Sequence, residues 1–118
     1  METWYIGEIS KLTGISKRTL HHYDEINLLS PSIRTSNGYR IYSDTDLIRL
    51  QKILIFKGMR FKLKAIQEIL KKNSQDIVII LREQLQILGT ETVAISKTIN
   101  SIKKLIDEYE YNDQNSTH

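Results

Sequence analysis

The chain's 118 residues, 40% hydrophobic and 26% charged, suffice for one small domain with at most an appended helix, which excludes a multi-domain enzyme and disorder throughout. Cysteine is absent, so there is no disulfide, thiolate zinc site or catalytic thiol; charges among the first twenty residues and the lack of a long apolar run argue against a signal peptide or membrane span, and a cytoplasmic place is expected. The net charge of +3 resolves into +6 over residues 1–73 and −3 over 74–118, so the first part suits a polyanion such as nucleic acid unless the excess is ordinary solvated surface.

Ile6, Ile9 and Leu12 recur at steps of three, and after Thr13-Gly14-Ile15-Ser16 a second periodic stretch carries Leu20, Tyr23 and Ile26. This predicts a helix, a tight turn and a second helix. Gly14 suits a left-handed cap for the first helix, and Ser16 suits the N-cap of the second. Lys17 and Arg18 then occupy the positive end of the second helix's dipole, where each cation costs about 0.3–1 kcal/mol. A local rule broken without structural gain points to a functional surface rather than to two incidental bases.

Ser30-Pro31-Ser32 interrupts any helix, and Asn37-Gly38 separates two short β-prone runs, residues 33–35 and 39–42. A hairpin is predicted, with both central residues of a type I′ turn at positive φ. Arg34, Tyr39 and Arg40 around its tip make a basic and aromatic probe, or else an ordinary solvated hairpin. Ser43 and Asp46 form a capping-box pattern opening a third helix with Leu47, Leu50 and Leu54, which Gly58 is expected to stop. A basic turn, Met59-Arg60-Phe61-Lys62, leads to a fourth helix striped by Leu63, Ile66, Ile69 and Leu70, with Lys71 and Lys72 suited to its negative end.

From about Gln75 the pattern changes. Val78, Leu81, Leu85, Leu88, Thr92, Ile95, Ile99, Ile102, Ile106 and Tyr109 alternate steps of three and four, a heptad seam without proline. Such a helix spans roughly 50 Å, too long for a small head to cover, so a second chain is the expected cover. Residues Leu81 to Ile106 of the seam are the candidate dimer interface. Ile77, Ile80 and Ile87 widen the stripe at its start, Gly89 costs about 1 kcal/mol within the helix, Thr92 is the one polar residue of the seam, and residues 111–118 are expected to form a loose polar tail.

Candidates for catalysis are few. His21, His22 and Asp24 share one helix, but adjacent histidines point about 100° apart, and a His21–Asp24 pair lacks a third ligand. No phosphate loop, serine elbow or H-E-x-x-H pattern occurs, so neither enzyme activity, metal nor cofactor is expected. A basic head that binds protein, on a coiled-coil assembly rod, remains the alternative to nucleic-acid binding.

The order of helix-turn-helix, wing, second helix pair and heptad helix resembles the MerR-type transcriptional regulators. The resemblance is carried by Ile6-Gly7-Glu8-Ile9-Ser10, Arg18-Thr19-Leu20-His21-His22-Tyr23-Asp24, Gly38-Tyr39-Arg40-Ile41-Tyr42 and Phe61-Lys62-Leu63, and covers about residues 4–110. The His-His-Tyr-Asp stretch is most similar to the branch of multidrug and thiopeptide-responsive activators. It implies a mainly α fold: a winged helix-turn-helix DNA-binding head over residues 1–73 and a long C-terminal coiled-coil dimerisation helix over 74–110. It also implies an antiparallel homodimer on double-stranded promoter DNA, with the second helix of each head in a major groove and the wings on the flanking backbone. In the family such a dimer distorts an over-long promoter spacer so that RNA polymerase engages both elements. Carried over by residue, Lys17, Arg18, His21 and Tyr23 face DNA from the second helix, Tyr39 and Arg40 from the first wing, and Arg60 and Lys62 from the second. Arg18 is the expected base contact, since a guanidinium can hold guanine in bidentate fashion. Multidrug-type members continue into an effector domain and metal-sensing members carry cysteines at the coiled-coil end; this chain has neither. Three readings stay open: an amino-terminal fragment, a short constitutive regulator, or a ligand held between coiled coil and head.

Overall fold

The computed structural model describes residues 2–115, and the chain divides into two compact units after Lys71. The first unit contains β1 (Trp4–Tyr5), α1 (Ile6–Thr13), α2 (Lys17–Glu25), β2 (Ile33–Arg34), β3 (Arg40–Tyr42), α3 (Asp44–Gly58) and α4 (Leu63–Ile69). The second contains one helix, α5 (Ser74–Asn115).

The predicted helix-turn-helix is present with its caps. Gly14 adopts φ 77° after α1, and the Ser16 hydroxyl accepts from the Thr19 amide at 3.1 Å. Inside the turn, the Ser10 hydroxyl donates to the Ile15 carbonyl at 2.6 Å and that of Thr13 to the Ile9 carbonyl at 2.7 Å, which fixes the step between the helices. α2 ends in a Schellman motif: Asn27 is left-handed at φ 60°, and the Leu28 amide bonds back to the Tyr23 carbonyl at 2.8 Å.

The sheet is antiparallel in the order β1-β3-β2, with Tyr5 opposite Ile41, Ile33 opposite Ile41 and Arg34 opposite Arg40. β1 is too short to show any period, and no sequence pattern announced it. The hairpin turn differs from the expected type I′. Only Gly38 of the Asn-Gly pair has positive φ (83°), the Gly38 amide donates to the Thr35 carbonyl at 3.0 Å, and Thr35 pairs with Tyr39. This is a three-residue loop in which glycine forms a bulge, so the turn needs one left-handed residue rather than two.

Ser43 and Asp46 complete the predicted capping box at the start of α3. The same Asp46 oxygen also accepts from the Ser32 amide at 2.9 Å and the Ser32 hydroxyl at 2.7 Å, so a buried carboxylate ties the segment before the wing to α3. α3 ends at Gly58 as expected, but the glycine is not the left-handed residue of the cap; Arg60 takes that position at φ 70°. The Arg60 amide bonds the Lys57 carbonyl at 3.0 Å and the Phe61 amide bonds the Phe56 carbonyl at 3.3 Å. This second Schellman motif is placed by its apolar contact, the Phe56 and Phe61 rings meeting edge to face at 6.1 Å, rather than by the nearest glycine.

Around these turns Ile9, Leu20, Tyr23, Leu28, Leu29, Tyr42, Leu50, Ile53 and Ile66 form one core drawn from α1, α2, the loop after α2, β3, α3 and α4. In the other unit α5 buries no residue of its own. Most of the seam is exposed, from Leu85 at 72% to Ile99 at 46%, with Leu81 and Leu88 half-buried, a stripe no single chain leaves to water without cost. The Thr92 hydroxyl bonds back to the Leu88 carbonyl at 2.8 Å, so the one polar seam residue has its donor already used. The helix continues through residues 111–115, which correct the expected loose tail; residues 116–118 lie outside the described residues.

Candidate nucleic-acid interface

α2 divides its residues by angle. Leu20 and Tyr23 face the core, whereas Lys17, Arg18, His21 and His22 are exposed. No acid occupies its first turn, so the helix's positive end and two cations add in one place. The Lys17 stem lies over Gly7 of α1, where an added Cβ would come within 3.5 Å of Lys17 Cε. Arg18 and His21, at i and i+3, stand on the outward face.

Tyr23 is the correction among the expected contacts. It is 1% exposed, because it follows His21 by two residues and so points about 200° around the helix, into the core. Its hydroxyl instead accepts from Lys57 Nζ at 3.3 Å. Two further side chains grip the same end of α2: Arg49 Nε donates to the Leu28 carbonyl at 2.8 Å, and Gln67 Nε2 donates to the Ile26 carbonyl. α3 and α4 thereby fix the angle at which α2 is presented. These supports lie 21 to 41 residues from their partners, and no short-range spacing reveals them.

The first wing stands beside α2. Tyr39 is 62% exposed and meets the Tyr5 ring edge to face at 6.3 Å, so an aromatic pair flanks the hairpin turn. Arg40 forms an ion pair with Asp24 of α2, the side chains being 43% and 17% exposed respectively. Between helix and wing lies a recess of about 240 Å³ lined by Tyr5, His21, Asp24, Pro31, Tyr39 and Arg40. Below it Tyr42 is buried, and its hydroxyl is held above the ordinary tyrosine range by loss of solvent and by the Asp46 carboxylate, against a smaller opposite pull from Arg40. In the second wing Arg60 and Lys62 are both exposed on the turn that precedes α4. Asp24, the possible partner of His21, is paired with Arg40, and no cluster of three metal-ligating side chains occurs among the described residues.

Residues 5–42, from β1 through β3, match the model of the MerR family regulatory proteins. The chain is 41% identical over 103 residues to the HTH-type transcriptional activator mta of Bacillus subtilis, covering 87% of this chain and 40% of mta. Among solved structures it is similar to the amino-terminal part of the Bacillus subtilis multidrug transporter activator, at TM-score 0.81 and 41% identity over 87% of this chain and 97% of that one. The chain belongs to the MerR family. A further member of the family, HiNmlR, a regulator lacking the sensor domain and solved bound to promoter DNA, matches 94% of this chain and 87% of its own at 27% identity and TM-score 0.54.

The stretch that matches the family model holds α2, the first wing and the Asp24–Arg40 contact, whereas Arg60, Lys62 and the seam of α5 lie beyond it. Within one head, therefore, the family-matched segment brings Lys17, Arg18, His21, Tyr39 and Arg40 to neighbouring elements and sends Tyr23 inward. Among the described residues no helix is long and apolar enough to cross a membrane.

Proposed function

We propose that this chain is a cytoplasmic transcriptional regulator that binds double-stranded promoter DNA as a homodimer. The observation that carries the reading is the outward face of α2, where Lys17 and Arg18 crowd a helix N-terminus that local electrostatics would reserve for acids. Such a face costs stability in the free protein and is offset when phosphates and base edges arrive. In this reading residues 1–73 are the reading head, with Arg18 on a base edge, Lys17 and His21 beside it, Tyr39 and Arg40 on the backbone from the first wing, and Arg60 and Lys62 from the second. Residues 74–110 are the dimerisation helix, with Leu81, Leu85, Leu88, Thr92, Ile95, Ile99, Ile102 and Ile106 facing a second copy. Antiparallel pairing of all ten seam residues sets Thr92 against the partner's Ile95 at the centre of the rod, and the already satisfied Thr92 hydroxyl tolerates that neighbour.

The structural likeness to a family member bound to promoter DNA supports this reading. The dimer then acts on transcription by deforming the promoter spacer for RNA polymerase, an elastic cost of order 1–6 kcal/mol that backbone contacts from both heads offset. The test is selection of duplexes from a random-sequence pool on the full chain, followed by footprinting of the winners. An inverted repeat protected on both halves is expected, with binding that weakens steeply as salt is raised. Weak binding that ignores salt and protects nothing overturns DNA binding in favour of a protein-assembly role.

A further inference from the structure

We propose that Asp24 is a positioning residue of the interface: by holding Arg40 it locks the first wing to α2, so that helix and wing meet DNA as one rigid unit. The inference rests on the DNA-binding reading above and adds a residue that was not among its contacts. Arg40 stands directly opposite Arg34 in the β2–β3 register, and like charges placed so repel. Asp24 supplies the carboxylate that pairs Arg40, and at 17% exposure it is the more buried of the two partners. The far end of α2 is already held by Arg49, Lys57 and Gln67 from α3 and α4. One contact from Asp24 therefore passes the angle of α2 on to the wing. Glu25 is the other acid near Arg40, lining with Asp24, His21 and Asn27 a shallow surface beside the guanidinium, yet the ion pair is made by Asp24.

A tether and a mere surface charge make different predictions. Asp24→Asn in the full chain should speed amide exchange at Thr35 and Tyr39, whose amides close the wing, about fivefold while leaving the amides of α3 unchanged. It should also narrow the preference for the duplex recovered by random-pool selection over a scrambled duplex by about fivefold. Glu25→Gln, one residue along, should tighten both duplexes alike and leave that preference intact, and Asp24→Glu should restore both readouts. On an Arg40→Ala background, Asp24→Asn should add nothing, since the partner is already gone. The tether is overturned by unchanged wing exchange and preference in Asp24→Asn, by an equal effect of Glu25→Gln, by failure of Asp24→Glu to restore either readout, or by an Asp24→Asn effect that survives Arg40→Ala. Where Asp24→Asn itself loses protection throughout the head, wing exchange in Arg40→Ala decides the matter from the other side of the pair. Equal binding of both duplexes by the unaltered chain defeats the DNA reading instead, while the exchange data still judge the tether.

Discussion

The head and the long helix satisfy their apolar surface in opposite ways. In residues 2–71 nine core side chains close on one another, and the rules that local physics would impose are broken mainly on the outer surface: two cations at the N-terminus of α2, two arginines face to face in the wing, an arginine at positive φ. In α5 the order is reversed: local rules hold along the helix but for Gly89, with no proline and hydroxyls bonded back to the preceding turn, while most of the apolar stripe is exposed. A self-sufficient fold carries its function as surface exceptions, and an insufficient one carries it as a missing partner.

A charge in the stripe tests this contrast most severely. Ile99→Lys should convert the chain to a monomer in sedimentation at micromolar concentration, because a lysine in the seam is buried without a counter-ion. With the second head no longer held nearby, affinity for the selected inverted repeat should fall about a hundredfold or more. The head should keep its near-ultraviolet dichroism. A dimer that persists unchanged would show that the stripe is not the interface.

In the head, the matching severe change is Asp46→Ala, which removes the shared acceptor of the Ser43 amide and the Ser32 amide, while the exposed Ser32 hydroxyl keeps the Ser43 hydroxyl as a partner. A loss of about 2–4 kcal/mol is expected, read as a melting point lowered by roughly 10 °C or more. Arg18→Ala should leave melting nearly unmoved yet cost about 1–3 kcal/mol of discrimination between the selected and scrambled duplexes. Equal loss on both duplexes would reassign Arg18 from base to phosphate.

Much of this division was legible in the sequence, for reasons of range. Gly14, Ser16 and the Ser43–Asp46 pair act within four residues, so spacing alone located them, and the heptad of α5 is periodic by nature. Tyr23 was legible too, since its spacing from Leu20 puts it on the apolar face of α2, and only the family resemblance turned it toward DNA. What escaped depends on longer reach: the pairing of Asp24 with Arg40, by contrast, crosses the whole loop and wing between them. Asn37 and Gly58 misled in the same way: each is a residue suited to positive φ, yet the chain placed that conformation at Gly38 and Arg60, where ladder pairing and the Phe56–Phe61 contact required it.

Arg60 turns that last discrepancy into a smaller test. A non-glycine residue in the left-handed region costs about 1–2 kcal/mol, so Arg60→Gly should raise the stability of the head by about 1 kcal/mol. The same change should make DNA binding less salt-dependent, shallowing the logarithmic slope by roughly 0.9 if one phosphate contact is lost. Stability gained without any change in slope would mean that the arginine is strained for no contact with DNA.

The smallest effect concerns Tyr42, which lies under the wing where the core meets the interface. Its hydroxyl is held above its ordinary value of about 10, chiefly by burial and then by the Asp46 carboxylate, with Arg40 pulling the other way. The folded head therefore keeps this proton at pH values where the unfolded chain has begun to release it. The head's stability is then whole below about pH 10 and declines as pH climbs from there toward the raised folded value. Comparing urea unfolding of the native chain and Tyr42→Phe across that alkaline range isolates this group from the lysines, which titrate in both. The native chain should lose stability faster than the variant as pH rises, and parallel curves would mean that Tyr42 ionises in the fold as freely as in water.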